Sequence, residues 1–110
     1  MNNKPLLGLG VILLTTTAHA AQMSYADGGY LMAQYGCSSC HALDQSATGP
    51  ALRDIARRYV SDPNALEYLS IHVHNGSAGV WGPLAMPPMD VPDTDLQVLL
   101  KWIMQLPLVP

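Results

Sequence analysis

The chain's only two cysteines stand three residues apart and directly before a histidine, in Cys37-Ser38-Ser39-Cys40-His41. No other stretch limits so strongly what this sequence can fold into. Cys-x-x-Cys-His is the attachment pattern of c-type haem. Each thiol adds to one vinyl group, so the pair has to span two neighbouring edges of one porphyrin, and the next residue, His41, is carried under the iron as its proximal ligand. The pattern therefore predicts one covalently held haem, with Cys37 and Cys40 as its attachment points. The competing reading is a dithiol or disulfide of the thioredoxin kind. That motif lies between a strand and a helix of an α/β fold, and no such pattern surrounds Cys37 here.

The rest of the chain agrees with a cofactor-centred domain. Residues 1–20 read as a cleaved export signal: Lys4 gives the positive start, Leu6 to Leu14 an apolar run broken only by glycines, and Ala18-His19-Ala20 a small-x-small cleavage site. The apolar run is short for a bilayer span, and no second one follows, so stable membrane insertion is not expected after cleavage. Export points to the periplasm, where bacterial haem attachment takes place. The domain proper is then 21–110, with four basic residues (Arg53, Arg57, Arg58, Lys101) against eight acidic ones. A net negative surface repels phosphate, which argues against nucleic acid as a partner. A domain of this size is marginal on its own apolar burial, and the chain holds no phenylalanine. A large flat cofactor supplies the missing centre.

The expected fold is all-α, about four short helices and loops wrapped around the haem. Asp27 is placed to cap a first helix reaching about Tyr35, with Gly28 and Gly29 weakening its first turn and Gly36 ending it. Gly49-Pro50 opens a second, about Ala51 to Arg58, on Leu52, Ile55, Ala56 and Tyr59. Asp62-Pro63 opens a third, to about His74, with Leu66, Leu69 and Val73 as its buried stripe and Asn75-Gly76 as its stop. Residues 76–91, with three glycines and three prolines, predict a loop of fixed shape. Asp93 to about Gln105 forms the last helix, on Leu96, Leu99, Leu100, Ile103 and Leu106.

A closed haem site needs a second axial ligand, and methionine or histidine can provide it. Met86 and Met89 both lie in the proline-rich run Ala85-Met86-Pro87-Pro88-Met89, whereas Met32 and Met104 fall on helices as core fillers. A thioether binds iron weakly, so a stiff loop helps by limiting the entropy lost on ligation. His72 and His74 are alternative ligands, but both sit late in a helix, where an imidazole suits the negative helix end. Pro50 is the candidate acceptor for the other ring nitrogen of His41. Trp81 is a candidate wall of the haem edge, its N–H within reach of a propionate. Trp102, spaced with Leu99 and Leu106, reads as core.

These residues resemble a family, the short bacterial class I cytochromes c, which are small monohaem electron carriers. The resemblance covers essentially all of 21–110. It rests on Gly36-Cys37-Ser38-Ser39-Cys40-His41-Ala42, on Gly49-Pro50-Ala51, on Asn75-Gly76-Ser77-Ala78-Gly79-Val80-Trp81-Gly82-Pro83, on Met86-Pro87-Pro88 and on Lys101-Trp102. It implies Met86, directly before the Pro-Pro pair, as the axial ligand, with Met89 as the alternative. It implies that Pro50 accepts from His41, that Trp81 touches a propionate and that His72 lies near the inner one. As to function, it implies a monomeric carrier with no catalysis of its own, taking electrons from a quinol-oxidising complex to a terminal oxidase or a periplasmic reductase. A cytochrome subunit of a larger redox complex would share every motif. The family often rings its haem edge with lysines, yet Tyr30 to Tyr35 is uncharged, so docking here should rest on apolar contact more than on steering.

Overall fold

The computed structural model describes residues 2–5, 7, 8, 10 and 25–106. The expected leader boundary at Ala20 lies outside them. Among the described residues four helices follow in order: α1 (Tyr25–Gln34), α2 (Leu52–Tyr59), α3 (Ala65–Asn75) and α4 (Asp93–Met104), with a 3-10 turn at Cys37–Ser39. Among the described residues extended pairing is limited to two isolated bridges, His41 with Ser46 and Ser77 with Met86. The fold is all-α, as the sequence predicts. No helix among the described residues is long and apolar enough to cross a membrane.

Helix α4 is the hub and packs on each of the other three. Leu96, Leu99, Leu100 and Ile103 recur at three- and four-residue spacing and are all buried, with Leu106 just beyond. Asp93 and Asp95 occupy the first turn and Lys101 the last, in the sense the helix dipole favours.

Helix α1 departs from expectation at its start. Asp27 is not its cap but its third residue, because the helix begins by Tyr25. Gly28 has a packing role instead of merely weakening a turn. A Cβ built on it would stand 1.9 Å from Cδ2 of Trp102, so only glycine lets α1 and α4 meet there. Leu31 and Met32 enter the core beside Trp102. Gly36, at φ 72°, ends the helix in the left-handed conformation, its N–H donating to the Ala33 carbonyl at 3.2 Å.

Helix α2 starts one residue later than expected. Ala51 is its cap, so Pro50 stands outside the first turn. Asp62 does open α3, but through a tight turn. Its carboxylate accepts from the Asn64 N–H at 2.8 Å and its carbonyl from Ala65 N–H at 3.2 Å, and the α-helix proper runs from Ala65. Leu66, Leu69 and Val73 are only half-buried. Leu69 and Val73 pack against the core on one side and line a cavity on the other. Gly76, at φ 80°, stops α3 where Asn75-Gly76 predicts. His74 donates from Nε2 to the Val91 carbonyl at 2.8 Å and lies 3.7 Å from Asp93, which ties the end of α3 to the start of α4.

Candidate cofactor cavity

A cavity of about 370 Å³ opens between α2, α3, the 76–91 loop and the inner face of α4. Its size falls in the range of cofactor sites. Cys37, Cys40, His41, Pro50, His72, Trp81 and Met86 all line it, so of the candidates the sequence singles out the fold leaves aside only His74, turned to the Val91 carbonyl, and Met89. That methionine is half-buried against the hydrophobic core. Most of the remaining lining is apolar, with Met32, Leu52, Ile55, Leu69, Val73, Leu96, Leu99, Leu100 and Ile103 on its inner side. A wider groove of about 570 Å³, lined by Pro63, Glu67, Ile71 and His74 among others, holds no cysteine, methionine or other candidate besides His74 and is largely open to solvent.

The cysteine turn is held by its own backbone. The Cys37 carbonyl accepts from both Cys40 N–H (3.1 Å) and His41 N–H (3.0 Å), and the Cys40 carbonyl accepts from Gly49 N–H at 2.8 Å. That last bond brings the Gly49-Pro50 segment over the histidine. Nδ1 of His41 lies 2.8 Å from the Pro50 carbonyl. A carbonyl only accepts, so Nδ1 carries the proton and Nε2 is left with its lone pair, the form a metal binds. Pro50 thus has the partner that the sequence expects of it. Gly49 turns out to be as necessary: a Cβ there would stand 2.5 Å from Cε1 of His41. In sequence Gly49-Pro50 reads as a helix start with Pro50 as acceptor for His41, and only the fold shows that Gly49 itself lies against the imidazole.

Met86 is positioned through its main chain. It exchanges two hydrogen bonds with Ser77, Ser77 N–H to the Met86 carbonyl at 3.0 Å and Met86 N–H to the Ser77 carbonyl at 2.8 Å. Gly76 makes room for this pairing, since a Cβ there would lie 2.8 Å from the Met86 oxygen. Three residues on, Met89 N–H donates to the Val73 carbonyl at 2.8 Å and fixes the far side of the Pro87-Pro88 step.

The rim carries aromatic side chains. Trp81 and Tyr59 meet edge to face at 6.5 Å between ring centres, Tyr59 and Tyr68 lie 5.4 Å apart, and Tyr68 meets the His72 ring at 4.2 Å. Burial, with a hydrogen bond to Tyr68, pushes the Tyr59 phenol up. The sequence reading missed Tyr68 at this rim and took Tyr59 as plain core. It also missed Arg58, whose guanidinium stands 4.6 Å from the Trp81 ring centre.

Disulfide chemistry fits poorly. A helix and a left-handed glycine precede Cys37 in place of a strand. Both thiols are free, and burial pushes the Cys37 thiol up. An exchange nucleophile needs the opposite shift.

Residues 25–107 match the family model described as cytochrome c. The chain belongs to the cytochrome c family, among its short class I members. It is 36% identical over 102 residues to cytochrome c-551 of Stutzerimonas stutzeri, covering 93% of either chain. It is 41% identical over 93 residues to cytochrome c-551 of Pseudomonas aeruginosa, covering 84% of this chain and 89% of the relative. The crystal structure of wild-type cytochrome c552 from Nitrosomonas europaea superposes with a TM-score of 0.69 at 39% identity, over 72% of this chain and 99% of that one.

Members of this family bind one covalent haem c with its iron. The residues present fit that group. The cavity is walled mainly by apolar side chains, as a macrocycle requires, and two free thiols and a correctly protonated imidazole share it with a thioether.

Proposed function

We propose that this chain is a periplasmic electron carrier. In this reading residues 1–20 are removed on export and 21–110 form the working domain. Thioether bonds at Cys37 and Cys40 hold the haem, and His41 and Met86 are its axial ligands. Bound there, haem c supplies a one-electron Fe(III)/Fe(II) couple. The chain's own work is to fill both axial positions, exclude water and leave an edge accessible. Pro50 fixes the His41 ring through Nδ1 and raises the basicity of Nε2. Trp81 and His72 lie on the rim, where polar N–H groups suit the cofactor's carboxylates. Leu52, Leu96 and Leu99 keep the interior dry.

The observation that carries the proposal is Met86 in the same cavity as Cys37, Cys40 and His41, its backbone fixed by the Ser77 pairing. A site with both axial ligands from the protein leaves no position for substrate, which favours transfer over catalysis. Electrons would come from a quinol-oxidising complex and pass to a terminal oxidase or a periplasmic reductase.

The test compares two methionines in the haem-loaded protein. Met86→Ala is expected to abolish the Met–Fe(III) charge-transfer band and to let the reduced protein bind carbon monoxide. Met89→Ala is expected to keep the band and to cost only packing, about 2 kcal/mol of stability. Loss of the band in Met89→Ala alone would reverse the ligand assignment. Ready carbon monoxide binding by the unsubstituted reduced protein would sink the carrier reading.

A further inference from the structure

The three arginines of α2 divide their work unequally. Arg53 pairs with Asp44 at 2.8 Å, and Arg57 pairs with Asp54 at 2.6 Å. Arg58 turns instead to the far side of the cavity. It donates from a terminal guanidinium nitrogen to the Val80 carbonyl at 3.0 Å and lays its guanidinium over the neighbouring Trp81 ring at 4.6 Å.

The segment it reaches needs a hold. Gly79 and Gly82 adopt φ of 77° and 117°, and a Cβ built on either would meet nothing within 4 Å. Nothing packs against either glycine where a side chain would stand. The Ser77–Met86 pairing closes the base of the loop, but among the described residues the only hydrogen bond reaching 78–85 from outside comes from Arg58. Trp81 itself is 39% exposed, so burial alone does not fix its ring.

We propose that Arg58 is a positioning residue: a latch from α2 that holds Val80 and Trp81 against the cavity rim and so sets where the indole meets the cofactor. The proposal rests on the haem-carrier reading for what Trp81 faces, and on the loop geometry alone for the latch. Arginine suits the task better than lysine, because one planar fork can bond a carbonyl and stack on a ring together.

The test uses the haem-loaded protein with Arg58→Ala and Arg58→Lys. Amide hydrogen exchange over 79–84 should quicken about tenfold in Arg58→Ala, the loss of one charged hydrogen bond and one exposed cation–π contact, while α4 amides stay unchanged. Unchanged exchange over 79–84 overturns the latch. In a Trp81→Leu background the same substitution should quicken exchange by clearly less; full additivity would show that the ring takes no part. The midpoint potential should shift in Arg58→Ala and be only partly restored by Arg58→Lys. Complete restoration by lysine would mean that charge alone matters and overturns positioning. Failure of the carrier reading is seen separately: the unsubstituted protein would then lack a covalent haem spectrum, whatever Arg58 does to exchange.

Discussion

The α1–α4 crossing and the cofactor cavity both depend on glycine, for opposite purposes. At the crossing, Gly28 is missing a side chain so that Trp102 can occupy the space, and the result is a closed apolar contact. At the cavity, Gly49 and Gly76 are missing side chains so that a neighbour can hold one place: the His41 ring in one case, the Met86 carbonyl in the other. The first kind of gap is filled by packing and should be read out as stability. The second serves the position of a ligand-bearing residue and should be read out in the cofactor. The protein can thus be damaged in two separable ways.

The largest stability effect is expected at the crossing. Gly28→Ala forces a methyl into the Trp102 ring, and overpacking of this kind costs about 3 kcal/mol. Gly29→Ala, one residue along, meets nothing within 4 Å on an exposed face and should stabilise by about 0.5 kcal/mol, since alanine is the better helix former. Denaturant titration of the two variants measures the contrast. Equal effects would break the claim that Gly28 is there for the contact.

At the cavity the expected stability loss is smaller and the spectroscopic change larger. Gly49→Ala places a methyl 2.5 Å from the His41 ring and should cost about 1–2 kcal/mol as the ring or loop yields. Because the displaced group is the proposed proximal ligand, the midpoint potential should move as well, whereas in Gly28→Ala it should stay put. A Gly49→Ala protein of normal potential would mean that the imidazole relaxes freely, and the division between the two kinds of glycine would blur.

Much of this was legible in the sequence, and the parts that were not share a cause. The α4 stripe and the stops at Gly36 and Gly76 follow from local pattern, because a helix face or a turn is written in neighbouring residues, whereas the meeting of Met86 with Cys37, Cys40 and His41 is expected from haem chemistry and the family resemblance. Asp27 misleads because nothing nearby says that the helix has already begun. Gly28 reads as a weakness, since its partner lies 74 residues further on and the need for closeness appears only when α1 meets α4. Leu66, Leu69 and Val73 read as buried because their spacing shows a helical face but not all that lies opposite; for Leu69 and Val73 that includes the cavity as well as the core. Arg58 was invisible for the same reason: its partners Val80 and Trp81 are far along the chain, and one arginine among three carries no mark of its task.

The smallest effect lies on the outer edge of the crossing and shows only in alkali. Tyr35, just after α1, donates its phenol O–H to a carboxylate oxygen of Asp95 in the first turn of α4, at 2.5 Å. That hydrogen bond, with some desolvation and the Asp95 charge, raises the phenol from 10.0 to about 12. The favoured form is the neutral phenol, so its contribution is complete below the unfolded value of 10 and is lost as pH rises from there through about 12. Burial also raises the Tyr59 phenol, so the informative quantity is a difference. Unfolding midpoints of the unsubstituted protein and of Tyr35→Phe should differ by a constant amount up to pH 10 and converge towards pH 12, with the haem spectrum unaltered throughout. A gap that persists to pH 12 would mean that the ring packs but the hydroxyl does not join α1 to α4. A gap that closes with a shift in the midpoint potential would mean that the crossing and the cavity are coupled after all.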